Sequence, residues 1–141
     1  MISNQLDKSN YFRSLLLLIG IDKGLSIEEK QLLRKVGILL GFDKTFTEES
    51  MTNFLENEHI PVDPPKFSNI KIASGFIKDG IKFASSDGNI CQSELNWLKS
   101  IVETNNLSEE WFSQEIKNKN NQFDPNNTNL NLEANTIFNE I

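Results

Sequence analysis

Four carboxylates are the side chains of this sequence whose types and spacing could do chemistry together: Asp22, Glu29, Asp87 and Glu94. They fall in two stretches, Ile21–Leu33 (IDKGLSIEEKQLL) and Ser86–Leu98 (SDGNICQSELNWL), each reading as an acidic turn that leads into a helix. Laid over each other, Asp22 meets Asp87, Leu25 meets Ile90, Glu29 meets Glu94 and Leu33 meets Leu98. The offset is a constant 65 residues, from 22 to 87 and from 29 to 94. Two Asp/Glu pairs brought to one place by duplication would offer hard oxygen ligands to a divalent cation such as Mg²⁺, Mn²⁺ or Ca²⁺. A calcium EF-hand fits poorly. With Glu94 at the twelfth loop position, Asp87, Gly88 and Asn89 fill positions five to seven, but Phe83 and Ser85 stand where the leading ligands belong. In the first copy Leu18 and Gly20 stand there. A purely structural role is open to the same acids: Asp in a turn accepts from backbone N–H groups, and Glu at the third residue of a helix completes a capping box.

The elements that must position these acids read as helices throughout. Phe12, Leu15, Leu16 and Ile19 recur at helical spacing in a first helix from about Asp7 or Ser9 to Gly20, with Leu17 and Leu18 on its other faces. A second helix opens at Ser26, whose capping box is completed by Glu29, carries Leu32, Leu33, Val36, Leu39 and Leu40, and stops at Gly41. Thr47 is the expected cap of a third helix that buries Met51, Phe54 and Leu55. Ile60–Phe67 holds three prolines, which forbid continuous helix. It reads as an ordered strap, about 58–67, between two halves of one domain. A fourth helix runs from about Ser68 to Ala84, a fifth begins after Cys91 with Glu94 at its third residue, and a sixth is capped by Ser108. Matching Thr47–Met51 to Ser108–Phe112 gives an offset of 61, which implies a four-residue insertion around Phe42–Phe46. The fold expected is therefore all-α: a compact bundle of about six to seven helices in two pseudo-repeated three-helix units. Repeat one is about 10–57 and repeat two about 68–117, together a domain over 1–117. Residues 118–141 form an Asn-rich tail with room for a short terminal helix.

Composition narrows the partners. The net charge of −6 repels nucleic acid and anionic membrane. Leu15–Ile19 is too short to span a bilayer, which takes about 20 apolar residues, and the acids around it suit no signal peptide. Cys91 is the one cysteine, so no internal disulfide forms, and a cytoplasmic location is expected. Glu56 and His59 show the Glu-x-x-His spacing of helical di-metal enzymes once, without the second pair such a centre needs.

Asp87-Gly88-Asn89-Ile90-Cys91-Gln92-Ser93-Glu94, preceded by a helix and echoed at Asp22–Glu29, resembles the Asp-Gly-x-Ile-x-x-x-Glu repeat of the tellurite-resistance TerB-like family. The resemblance covers about residues 10–118, and Lys23 replaces the glycine after the first Asp. It implies an all-helical module linked to tellurite and other stress responses, with metal binding through such acids and no enzymatic activity. The function expected is thus a non-enzymatic, stress-associated protein that acts on a protein partner. Two alternatives stand beside it: a metal-dependent enzyme using the same carboxylates, and a structural interaction domain with no ion.

Overall fold

A computed structural model describes residues 4–20, 27–56, 63–84 and 90–118, and these fold into six α-helices with no strand among them. The helices are α1 (Asn4–Gly20), α2 (Ile27–Leu39), α3 (Lys44–Glu56), α4 (Ile70–Ala84), α5 (Gln92–Thr104) and α6 (Glu109–Lys117). The all-α expectation holds. The acidic loops, part of the strap and the Asn-rich tail lie outside the described residues.

The helices α3, α4 and α6 start where a side chain takes up an orphan backbone N–H. Asp43 caps α3, its Oδ1 accepting from Thr45 N at 3.0 Å. Asn69 caps α4, accepting from Ile72 N at 2.9 Å, and Ser108 caps α6, accepting from Trp111 N at 3.1 Å. Thr47 is therefore not the cap of α3. It lies a turn inside that helix, buried, with its hydroxyl donating to Asp43 O. Asp43 wins because a carboxylate placed just before the helix holds the first amides better than a β-branched hydroxyl that packing can use.

With Asp43 as the cap of α3, one register runs through both halves of the chain. The helices α2 and α5, and likewise α3 and α6, begin 65 residues apart (27 to 92, 44 to 109), as do the caps Asp43 and Ser108. The turns between them coincide bond for bond. In the first half Gly41 N donates to Ile38 O and Phe42 N to Gly37 O. In the second Asn106 N donates to Glu103 O and Leu107 N to Val102 O. This is the Schellman closure of a helix, which needs a left-handed residue. Gly41 supplies it at φ 83° and Asn106 at φ 57°. The four-residue insertion expected around Phe42–Phe46 is absent, because Ser108 is equivalent to the cap Asp43 and Thr47, four residues inside α3, is equivalent to Phe112.

The two halves pack through equivalent helices. In one half α2 packs on α1 and on α3; in the other α5 packs on α4 and on α6; α1 and α4 meet at the centre. The core runs through this contact: Phe12, Leu15, Leu18, Phe76, Ile77, Leu33, Leu98 and Ile101 are fully buried. Tyr11 stacks edge-on against Phe76 and Phe67, with centroids 5.2 and 6.0 Å away. The described part of the strap, Asp63–Phe67, is tied down at both sides. Asn105, at the end of α5, accepts from Phe67 N at 2.8 Å and donates to Pro65 O at 2.9 Å. Asp7, on α1, accepts from Ser68 N at 3.0 Å. The strap is ordered over these residues because its backbone groups find buried side-chain partners.

Candidate functional site

Of the four acids singled out by spacing, the structure describes Glu29 and Glu94; Asp22 and Asp87 lie outside the described residues. Glu29 and Glu94 occupy the same place, the third residue of α2 and of α5, and both are half-buried. Glu94 works as a cap: its Oε1 accepts from Cys91 N at 3.0 Å. Among the described residues no three acidic, histidine or cysteine side chains gather closely enough to hold a metal ion. The Glu56 and His59 side chains lie outside the described residues.

Three further features come from the tertiary structure. The first is a pair of buried carboxylates on the helices that join the halves. Asp79 on α4 is fully buried and accepts a hydrogen bond from the Tyr11 hydroxyl on α1, and Asp7 binds Ser68. Every buried side-chain polar atom among the described residues has a partner, and these two acids tie α1 to α4 and to the end of the strap.

The second feature is apolar side chains left in solvent on α2. Ile27 is 72 % and Ile38 77 % exposed, and the eleven residues from 27 to 38, three helical turns, put both on one face. With the 65-residue register, Gln92 and Glu103 stand at the equivalent positions of α5. The second half keeps that face polar; the first does not.

The third is a groove of about 440 Å³ between α5 and α6, with Leu95, Phe112 and Ile116 as its apolar lining and Lys99, Ser113 and Lys117 beside them. The equivalent positions of α2 and α3 are bridged. Arg34, equivalent to Lys99, makes a two-pronged contact with Glu48, equivalent to Ser113, through Nε to Oε2 at 2.5 Å and Nη2 to Oε1 at 3.1 Å. The hydrogen bond from Arg34 lowers the Glu48 pKa below the ordinary carboxylate value, and the same bond raises that of Arg34. The pair therefore stabilises the fold at neutral pH and loses that effect as acid protonates Glu48. Both side chains are about two-fifths exposed, so water screens the attraction. In the second half serine replaces the glutamate, and Lys99 has no ion-pair partner among the described residues. The spacing of the acidic loops could not reveal this, because the equivalence of Glu48 and Ser113 depends on the register of the third helix in each half.

No protein-family model, no curated protein and no solved structure matches this chain. Among the described residues no helix is long and apolar enough to cross a membrane.

Proposed function

We propose that this chain is a non-enzymatic helical module of the TerB-like kind that works in the cytoplasm by binding a protein partner in a stress response such as that to tellurite. One observation carries the binding role: Ile27 and Ile38 lie in solvent on one face of α2 where the repeat places Gln92 and Glu103 on α5. Duplicated helices share a fold requirement, so two exposed isoleucines present in one copy only, with Gln31 and Arg34 between them, support a use outside that requirement. The motif and the shared position of Glu29 and Glu94 also support a divalent cation held by Asp22, Glu29, Asp87 and Glu94.

The test gives α2 the residues of its own counterpart. Ile27→Gln with Ile38→Glu removes two exposed side chains, so stability should change by less than about 0.5 kcal/mol. Partners captured by the wild-type chain from stressed cells of its host should be lost from the double variant. An unchanged capture profile would mean that the α2 face is not the binding surface.

A further inference from the structure

We propose that the groove between α5 and α6 is the seat of the chain's own residues 130–141, which supply there the carboxylate that Glu48 supplies in the first half. Three observations meet in this assignment, and none depends on the cation or on Ile27 and Ile38.

The groove is built to receive an apolar stripe with an acidic border. Leu95, Phe112 and Ile116 give it apolar walls, and Lys99 and Lys117 stand beside them against the single acid Glu109. At the equivalent position of the first half the cation is paired within the fold. There Arg34 is held by Glu48 at a distance of 2.5 Å. With Ser113 in place of that glutamate, Lys99 has no ion-pair partner among the described residues.

The sequence of residues 130–141, LNLEANTIFNEI, has the complementary pattern. At helical spacing Leu130, Ala134, Ile137 and Ile141 fall on one stripe, Phe138 beside them, and Glu133 and Glu140 along one border. The segment has two acids and no basic residue. It meets lysines with glutamates and an apolar wall with an apolar stripe.

The covalent path allows it. The last residue of α6, Lys117, itself lines the groove, so the chain leaves the described fold beside it. Residues 119–129 can span up to about 36 Å at ~3.3 Å per residue, against about 14 Å for the nine residues of α6. A tether of that length presents the segment at an effective concentration on the order of millimolar. Modest complementarity is then enough for the segment to outcompete a free ligand.

Amide hydrogen exchange on the full-length chain tests this. Residues 130–141 should exchange at least about tenfold more slowly than an unstructured peptide, independently of protein concentration. Lys99→Glu with Lys117→Glu, both exposed sites, should abolish the protection while thermal unfolding of the body stays unchanged. Adding Glu133→Lys and Glu140→Lys to that variant should restore it. Three results would overturn the proposal: exchange at the unstructured rate in the wild type, protection that survives reversal of the groove lysines, or protection that fades on dilution. The last would assign the groove to a second copy of the chain.

Discussion

At the scale of single residues, the informative side chains are polar ones that the fold has buried. Burial removes a carboxylate from water at a cost of several kcal/mol unless donors replace the lost solvent. Asp79, fully buried on α4, takes one such donor from the hydroxyl of Tyr11 on α1. The bond crosses between halves and is made by residues 68 apart. Tyr11→Phe preserves the ring's edge-on contacts with Phe67 and Phe76 and deletes only the donor. Chemical denaturation should then show a loss of about 1–3 kcal/mol, with Asp79→Asn combined with Tyr11→Phe costing less than the two separate losses added. Additive losses would show that the two groups do not stabilise each other. None of this was readable in sequence. Asp79 looks like any acid on the polar side of a helix until α1 is known to lie across it. Cys91 and Glu94 are the opposite case: capping is local, the partners are three residues apart, and the sequence assigned Glu94 to the bond it makes.

At the scale of elements, the helices were legible from apolar spacing, but not every start was: α1 begins at Asn4, ahead of the Asp7 or Ser9 expected, while the cap of α6, Ser108, was read correctly. Asp43 and Thr47 competed, and only packing decided between them, because Thr47 fills the place where α3 crosses α2. A Cβ added to Gly37 would stand 2.6 Å from Thr47 Oγ1 and 3.1 Å from its Cγ2. Neither atom is the end of a long, adaptable side chain. Alanine in a helix interior is worth about 1 kcal/mol over glycine, but forcing atoms into a filled contact costs roughly 1–3 kcal/mol. Gly37→Ala should therefore destabilise the chain despite its better helix propensity. Thr47→Ala removes both crowding atoms, so in the double variant the added Cβ should become neutral or favourable. Urea midpoints of the two single variants and the double one measure this. A stabilised Gly37→Ala single variant would mean that α2 and α3 separate freely at this crossing. Gly80 offers the contrast, since the nearest atoms to its added Cβ are the branch ends of Leu98 and Leu18, at 2.8 and 3.2 Å.

At the scale of the whole molecule, duplication is what ties the fold to a candidate function, and it explains which parts of each could be read in advance. The shared 65-residue offset of the acidic motifs was visible in sequence, and the helix starts, caps and turn bonds of the two halves repeat it. The differences between halves were not visible, because a bridged pair and an unpaired lysine beside a groove, or an exposed isoleucine and an exposed glutamine, acquire meaning only when equivalent positions are known to be equivalent in space. The cation proposed for Asp22, Glu29, Asp87 and Glu94 is a whole-molecule claim, since it requires both halves to contribute. Four carboxylates held together without metal repel one another, which lowers the stability of the folded state. A divalent ion that binds only that state raises stability by about 2.7 kcal/mol at a hundred times its dissociation constant. The melting temperature should therefore rise with Mg²⁺, Mn²⁺ or Ca²⁺. Asp87→Asn should abolish the rise while leaving the metal-free protein as stable as the wild type or more so. If the acids only close turns and cap helices, as Glu94 does for Cys91 N, the outcome reverses. Melting would then ignore every ion at millimolar concentration, and Asp87→Asn would cost roughly 0.5–1.5 kcal/mol through its lost backbone hydrogen bond. Melting curves of the two proteins with and without each ion separate these outcomes, because the sign of the metal-free difference and the metal response change together.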